Sequence, residues 1–205
     1  MKKLFVLLVG LALLNTVRAN PEIRQLINNA GDQNDFPGKP ELIIFDSTIV
    51  DVKKTGLSLV NIHKLVKILN EEGAKNNAVI IFGYDPLSAY VEIRNVKIYR
   101  KSGKTETLDM SKVLDYPAPA RAIYWGAREK MIEVGRLEPG DAVEVFLFRK
   151  GFTYALLRDE SDDERYIPPM RGHFYDIVEF WSTQPVSEKV YQTRIRADKT
   201  VQSEL

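Results

Sequence analysis

Side chains that could perform catalysis are few in this sequence. The chain has no cysteine, so a thiolate nucleophile is excluded. Its two histidines, His63 and His173, have no second histidine four residues away, so the helical zinc-binding pair is absent. Three serines, Ser47, Ser58 and Ser88, lack the flanking glycines of a hydrolase nucleophile elbow. Because no nucleophile, base and orienting group can be assembled, we predict a non-catalytic protein without a cofactor.

The densest charge cluster is the acidic run between Arg158 and Arg165. Its five carboxylates are oxygen ligands of the kind that calcium prefers. The run lacks the glycine and the alternating acidic residues of a calcium-binding helix–loop–helix. A solvated loop flanked by its own arginines fits better, and we predict no metal site.

Two aromatic pairs and one short mixed segment form the remaining candidates for binding. Exposed aromatic rings at positions 124–125 and 180–181 could stack on sugars, and the segment 170–176 places an arginine and a histidine beside further aromatic residues. Packing in the core or at its rim is the structural alternative, since tryptophan and tyrosine in strands commonly pack there. The candidate binding residues are Trp125, Arg171, His173 and Trp181.

Residues 1–19 have the pattern of a signal peptide. Lys2 and Lys3 form a basic start, an apolar run follows, and Val17-Arg18-Ala19 has the small-x-small form that signal peptidase cleaves. The apolar run is short for a membrane anchor, because a transmembrane helix needs about 20 such residues. We predict cleavage after Ala19, no transmembrane segment afterwards, and export to the periplasm or cell envelope. A retained N-terminal anchor is the alternative.

Composition limits the partners and the means of stabilisation. The chain has 29 basic and 28 acidic residues, and removal of residues 1–19 takes away three basic residues and no acid, which leaves a formal net charge of −2. This charge does not predict nucleic-acid binding, which requires a strongly basic face. An exported chain without cysteine has no disulfide framework, so we expect one domain held together by its hydrophobic core.

The first elements after the predicted signal peptide are a short helix and a loop. Asn20 is a suitable helix cap, Pro21 is tolerated at the first helical position, and apolar residues recur at helical spacing from Ile23 to Ala30. A loop rich in Asp, Asn, Pro and Gly follows and extends to Pro40.

From Glu41 onward the pattern favours strands. The segment 57–73 fits both a helical face and a strand phase, and its β-branched residues lead us to predict a long strand that ends in a Glu-Glu-Gly-Ala turn. A later strand slips phase near Arg94-Asn95, which predicts a β-bulge. The following "RKSGKT" predicts a hairpin turn in which Gly103 takes a positive φ.

Two further strands flank a tight turn in the segment 130–148. The Pro139-Gly140 pair is typical of a type II turn, and the strand after it is apolar on both faces, as in a packed sandwich. Many short strands with one short helix predict a mainly-β protein, an antiparallel β-sandwich with a short N-terminal helix. The predicted organisation is a signal peptide at 1–19, a helix and loop at 20–40, the sandwich at 41–195 and a polar tail at 196–205.

An ordered set of motifs extends over residues 36–195. Its members are Phe36-Pro37-Gly38, the strand from Leu42, His63-Lys64, Lys67 to Asn70, Gly73, the strand that ends at Tyr84, Ile93 to Gly103, Pro139-Gly140-Asp141 with Val143-Glu144, and the closing run around Pro185-Val186. In this order and spacing they resemble the domain of unknown function 3857 family. These are exported β-rich domains, usually found before transglutaminase-like domains in bacterial proteins of Bacteroidetes type.

The resemblance implies a β-sandwich without an activity of its own. In the family the neighbouring domain supplies a Cys-His-Asp set, and this chain has no cysteine. We therefore predict an exported interaction or scaffold module that binds a protein partner of the cell envelope, such as a transglutaminase-like protein. A module that binds cell-wall glycan or peptide is the alternative. If the strand 186–195 lies at a sheet edge, its unpaired backbone groups can accept a partner strand.

Overall fold

The computed structural model describes residues 21–119, 126–152 and 174–201. The predicted signal peptide and the acidic run 158–165 lie outside these ranges. The elements of the described part are α1 (Pro21–Asn29), β1 (Glu41–Val52), β2 (Ser58–Ile68), α2 (Glu71–Asn76), β3 (Val79–Tyr84), β4 (Ala89–Tyr99), β5 (Thr105–Thr107), a 3₁₀ helix (Met110–Lys112), β6 (Leu114–Pro117), β7 (Arg128–Glu133), β8 (Ala142–Gly151) and β9 (Val186–Arg194).

The strands form two sheets, which confirms the mainly-β, sandwich-like fold. One sheet has the order β5-β4-β8-β2-β1-β9, and the other has the order β3-β7-β6. The described pairs are antiparallel with one departure from the predicted pattern, because β9 runs parallel to β1. Parallel neighbours cannot be joined by a tight hairpin. The chain instead returns to β1 after the long connection that follows β8.

One hydrophobic core joins the two sheets. Ile93, Val96 and Ile98 of β4 pack with Val143 and Val145 of β8. Ile132 of β7, in the smaller sheet, belongs to the same buried cluster. Since residues two apart on a strand share a face, this cluster occupies one face of the larger sheet and leaves alternate residues of β4 and β8 for the other.

Helix α1 covers part of the opposite face of the larger sheet. Ile23 and Ile27 are buried against Leu42, Leu65 and Tyr99. The two isoleucines are four residues apart, so they project from the same side of the helix. Apolar burial therefore docks α1 across one end of the central strands of the sheet.

Lys67 of β2 ties the end of α1 to the sheet. Its Nζ donates to the carbonyl oxygens of Ile27 (2.9 Å) and Gly31 (2.6 Å). These carbonyls lie at the C-terminal end of the helix, where helical partners run out and a cation is favoured. Burial lowers the pKa of Lys67, against the opposing effect of the nearby Asp32 and Asp35 carboxylates.

Several local predictions are confirmed. The ambiguous segment forms the long strand β2, and the β4–β8 register shifts between Ile93 and Asn95, where the bulge was expected. Gly103 has a φ of 96° in the β4–β5 hairpin. Gly140 has a φ of 95°, and the Asp141 N–H donates to the Glu138 carbonyl at 3.0 Å, as a type II turn requires.

The predicted Glu-Glu-Gly-Ala turn is wrong, because these residues begin helix α2. Asn70 caps this helix: its Oδ1 accepts from the backbone N–H groups of Glu72 (3.0 Å) and Gly73 (3.1 Å). Position 73 requires glycine, since a Cβ there would lie 1.9 Å from the Pro40 carbonyl oxygen.

The strands on either side of the Pro139-Gly140 turn do not pair with each other. β7 belongs to the three-stranded sheet and β8 to the six-stranded sheet. The Gly140 N–H instead donates to the carbonyl of Ile68 in β2 at 2.8 Å. The turn therefore carries the chain from one layer of the sandwich to the other.

Candidate functional site

Strand β9 forms one edge of the six-stranded sheet. It pairs with β1 from Ile43↔Val186 to Asp51↔Arg194, and β1 is its strand neighbour within the described part of the chain. The sequence prediction that this strand could be an edge is thus met by the topology.

The register of β9 determines which of its backbone groups are available. The Ile43 N–H donates to the Pro185 carbonyl at 3.0 Å. In a parallel pair, successive residues turn their N–H and C=O groups alternately toward and away from the neighbour. A bulge in β1 between Ile43 and Phe45 reverses this alternation for the rest of the strand. Odd-numbered residues of β2 face β1, so the odd-numbered residues 45–51 opposite them face β2, and the even-numbered residues of β1 face β9. From residue 188 onward the even-numbered residues of β9 therefore face β1, and the groups of residues 189, 191 and 193 point away from the sheet. No backbone partner for these outward groups occurs among the described residues.

Charged side chains of β9 bind back to β1. The Lys189 ammonium lies 3.9 Å from Asp46, and the Arg194 guanidinium lies 4.0 Å from Asp51. These are long, partly exposed ion pairs, which contribute little to stability. They orient both cations along the two faces of the sheet and leave the backbone edge uncovered.

An exposed apolar segment precedes β9. Trp181 is 72% exposed and Phe180 is 62% exposed, and Tyr175 and Ile177 are exposed as well. The Tyr191 hydroxyl donates to Asp176, which fastens this segment to the strand. Burial and this hydrogen bond raise the pKa of Tyr191. Exposed apolar residues in such a group are common at interaction surfaces.

The predicted binding residues can be followed only in part. Trp181 is exposed on the surface and precedes β9 by five residues in the sequence. Trp125, Arg171 and His173 lie outside the described residues.

A buried carboxylate forms a second polar feature, on the face of the sheet that α1 partly covers. The Glu144 side chain is 3% exposed and lies near the start of β8. Its Oε1 is 2.8 Å from His63 Nε2, and its Oε2 accepts from the Tyr99 hydroxyl at 2.8 Å. The Lys97 ammonium lies 3.5 Å from Oε2. Each buried oxygen is therefore satisfied.

Burial and hydrogen bonding act in opposite directions on the pKa of Glu144. Burial alone would raise it, but hydrogen bonds from His63 and Tyr99, with the Lys97 charge, hold the pKa of this carboxyl below its usual range. Burial, together with the bond to Glu144, raises the pKa of Tyr99. Glu144 is thus a carboxylate at neutral pH, and His63 donates to it through Nε2.

His63 is held between two phenylalanine rings. Phe146 stacks on it at 3.9 Å between ring centroids, and Phe45 approaches edge-on at 4.6 Å. Ser47 is directly opposite His63 in the β1–β2 register, and no hydrogen bond joins these two side chains. The arrangement orients an imidazole without forming a nucleophile–base pair.

The Glu144 cluster was not predicted from the sequence, where the chemistry of His63 was considered only as that of a member of a helical metal-binding pair. The available signal was a lone acid at position 144 among apolar strand residues. A charge is buried only when it is paired, so Glu144 implied a partner on an adjacent strand. Which strand lies next to β8 is a long-range property that local pattern does not specify.

Membrane spans and metal centres are not found among residues 21–119, 126–152 and 174–201. No helix there is both long and apolar enough to cross a bilayer. No cluster of three or more histidine, aspartate or glutamate side chains there is arranged to hold a metal ion.

Comparison with known proteins places most of the chain in one family. A family model described as a domain of unknown function with a solved structure, DUF3857, matches residues 54–204. No match was found among the curated proteins.

Three solved structures align with part of the chain. A candidate protease from Parabacteroides distasonis aligns with a TM-score of 0.46 and 16% identity, over 56% of this chain and 24% of that chain. The CBM3a-L domain of a Clostridium thermocellum cellulosome scaffoldin gives 0.30 and 13%, over 52% and 64%. A family 3a carbohydrate-binding module from the same organism gives 0.29 and 12%, over 54% and 84%. These similarities are too weak to carry an argument about function.

Proposed function

The chain belongs to the DUF3857 family, and we propose that it is an exported protein-interaction module that binds an extended segment of a partner in the cell envelope along β9. The single observation that supports this most strongly is the edge position of β9, with its outward backbone groups unpaired in the described structure. The proposed location rests on the N-terminal basic and apolar pattern of residues 1–19.

Strand addition uses the groups that β9 offers. An extended peptide beside an edge strand forms main-chain hydrogen bonds, and side-chain contacts then select the partner. The exposed rings of Phe180 and Trp181 come shortly before β9 in the sequence, and they supply apolar contact area. The partner is therefore an extended protein segment with apolar residues at one end.

Self-association through the same edge is opposed by charge. Two copies of β9 would bring Lys189 and Arg194 of one chain toward the same residues of the other, and edge charges commonly prevent such pairing. We expect the isolated protein to be a monomer that binds a different chain.

The test distinguishes binding through the backbone groups of β9 from binding through its side chains. A photo-crosslinking residue in place of Glu188, in the intact cell, identifies the bound partner by mass spectrometry. The affinity for that partner is then measured for Thr193→Ala and Thr193→Pro. Thr193→Ala retains the outward N–H and should bind as the parent does. Thr193→Pro lacks that N–H and should bind at least about tenfold more weakly, since one hydrogen bond and close approach of the strand are lost.

Two results would contradict the proposal. One is equal affinity of the alanine and proline variants for the crosslinked partner, with both proteins folded by circular dichroism. The other is a crosslink between two copies of this chain, which would make β9 a dimer interface.

A second candidate function, glycan binding, is favoured by the exposure of Trp181. An exposed indole next to a second exposed ring offers stacking area for a sugar. Tryptophan fluorescence during titration with soluble peptidoglycan fragments tests this. Binding that Trp181→Ala removes, and that Thr193→Pro leaves intact, would favour the glycan function over strand addition.

A further inference from the structure

A concave pocket opens on the part of the larger sheet that α1 leaves uncovered. It has a volume of about 250 Å³ and draws residues from β1, β2, β4 and β8. Its polar lining comes from Ser47, Asn61, His63 and Arg94, and Phe146 and Ile49 supply apolar walls. The pocket lies away from the outer edge of β9, so it does not depend on the proposed function.

The β-bulge in β4 delivers Arg94 to this pocket. The register jumps from Ile93↔Leu147 to Asn95↔Phe146, so Arg94 is the extra residue. Its guanidinium lies 3.7 Å from the ring centroid of Phe148 and 3.2 Å from Asn61 Oδ1. Bulges commonly redirect a side chain beside a functional site. Without the extra residue, the strand alternation that follows would place Lys97 and Tyr99 on the opposite face.

Hydrogen-bond donors dominate the polar groups that remain free at the pocket. Arg94 uses Nε for Glu92 and one terminal nitrogen for Asn61, which leaves its other terminal nitrogen without a partner among the described residues. The Asn61 amide nitrogen and the Ser47 hydroxyl are likewise unpaired there. His63 is already oriented by Glu144 through Nε2, so a protonated His63 adds Nδ1–H as another donor.

Donors on one side and aromatic walls on the other select a particular ligand chemistry. We infer that the pocket binds a carboxylate carried on a small apolar body, with the carboxylate at Arg94, Asn61 and Ser47 and the apolar part against Phe146. Guanidinium recognises carboxylate through paired N–H groups, which a point charge cannot reproduce. A carboxylate from a free small molecule or from a peptide C-terminus presents the same chemistry.

Glu92 allows a specific test of this inference, because its carboxylate competes with a bound ligand for the Arg94 guanidinium. Its Oε2 accepts from Arg94 Nε at 2.8 Å, and hydrogen bonds from Arg94 and Tyr90 lower the pKa of this carboxyl. A ligand carboxylate therefore binds next to an existing negative charge. Removal of that charge by Glu92→Gln should strengthen binding, whereas an unspecific cation site on the surface would show no dependence on this one residue.

The probes separate charge from shape and identify the source of the carboxylate. Benzoate carries the carboxylate on a flat ring, and benzamide is its uncharged analogue. N-acetyl-alanyl-phenylalanine with a free C-terminus, compared with its C-terminal amide, represents a peptide. Binding is followed in the full protein by NMR shifts of the backbone amides and of the His63 ring.

The expected pattern is binding of benzoate and not of benzamide, with the largest shifts at residues 47, 61, 63 and 94. Arg94→Met should weaken benzoate binding at least about tenfold, Arg94→Lys should recover part of it, and Glu92→Gln should tighten it several-fold. Arg149→Met is the matched control, because Arg149 lies on the same sheet and is not part of the pocket lining.

Tighter binding of the free-acid peptide than of benzoate would assign the site to a peptide C-terminus, and the reverse order would assign it to a small acid. Equal binding of benzoate and benzamide, unchanged benzoate affinity in Arg94→Met, or no binding of either acid at millimolar concentration would overturn the inference.

Discussion

The two edges of the six-stranded sheet are built very differently. The β5 edge has three residues and is enclosed by side chains from elsewhere in the chain. Arg24 of α1 donates to the carbonyls of Gly103 and Lys104, both at 2.6 Å, and to the Thr105 hydroxyl at 2.9 Å. A short edge crossed by a helix side chain offers little to a partner strand.

Arg100 closes the β5 edge from the other side. Its guanidinium makes two hydrogen bonds to the Glu106 carboxylate, at 3.2 and 3.1 Å, and one to Asp141 at 2.9 Å. It also donates to the Arg136 carbonyl at 2.7 Å. The Asp141 carboxylate accepts in addition from the backbone N–H groups of Lys101 and Glu138.

The β9 edge has nine residues and no comparable enclosure in the described structure. Its charges make two long ion pairs, at 3.9 and 4.0 Å, and both go inward to β1. Among the described residues one edge is protected and the other is not, and this contrast supports the proposal that β9 binds a partner, since an open edge otherwise carries a risk of aggregation.

The largest expected effect comes from breaking the β5 enclosure at its buried centre. Asp141→Ala leaves the Arg100 guanidinium and two backbone N–H groups without their acceptor, so the free energy of unfolding should fall by about 3 kcal/mol. Glu188→Ala on β9 is the control and should change it by less than about 0.5 kcal/mol. Urea unfolding measures both. Equal losses would mean that the two edges do not differ in their stabilisation.

Proline at neighbouring positions of β9 tests the direction of its backbone groups. Gln192→Pro removes an N–H that faces β1 and should lower the free energy of unfolding by about 2 kcal/mol, whereas Thr193→Pro removes an outward N–H and should cost less than about 1 kcal/mol. Thermal and urea unfolding of the two variants give the comparison. The reverse order would show that the register places the odd-numbered groups toward β1.

A smaller effect is expected when Arg24, whose side chain crosses the β5 edge from α1, is replaced by an apolar residue of similar size. Arg24→Met should cost about 1 kcal/mol, because several partly exposed hydrogen bonds are lost while the aliphatic stem remains. Arg194→Met removes a 4.0 Å exposed ion pair and should cost close to nothing. A measurable loss in Arg194→Met as large as that in Arg24→Met would contradict the comparison.

The smallest effect is a pH dependence at the β5 edge. Hydrogen bonds from Arg100 and Lys104 lower the pKa of Glu106. A lowered folded-state pKa stabilises the protein above the unfolded-state value of about 4.3, and this stabilisation is lost as the pH falls through the folded-state value. The stability difference between the parent and Glu106→Gln should therefore shrink between pH 7 and about pH 3. A constant difference would argue against a role for the Arg100–Glu106 pair.

Local sequence pattern predicted the helices and strands of this fold better than it predicted which strands lie next to each other. The β-branched residues of β2 outweighed a competing helical spacing, and the phase slip at Arg94-Asn95 located the bulge. Pro139-Gly140 specified its turn because proline and glycine each restrict the backbone directly. Helix α2 was missed, since its start depends on one capping side chain, Asn70, rather than on periodicity.

Pairing between distant strands was not predictable in the same way. The parallel contact of β9 with β1 joins residues about 140 positions apart, and the Glu144–His63 contact joins residues 81 positions apart. A single sequence contains the polar partners but not the order of strands that brings them together. From the sequence we could therefore say only what β9 would do if it lay at a sheet edge. The pocket around Arg94 could not be predicted from the sequence.

Hydrogen exchange of β9 in the free protein and in the complex with its crosslinked partner tests the central claim most directly. In the free protein, the amides of Lys189, Tyr191 and Thr193 should exchange quickly, because their N–H groups point outward, while those of Glu188, Val190 and Gln192 should be protected by β1. We predict that the partner protects the three odd-numbered amides and leaves exchange at Thr105 to Thr107 of β5 unchanged. Unaltered exchange at the odd-numbered amides in the saturated complex would contradict the proposal.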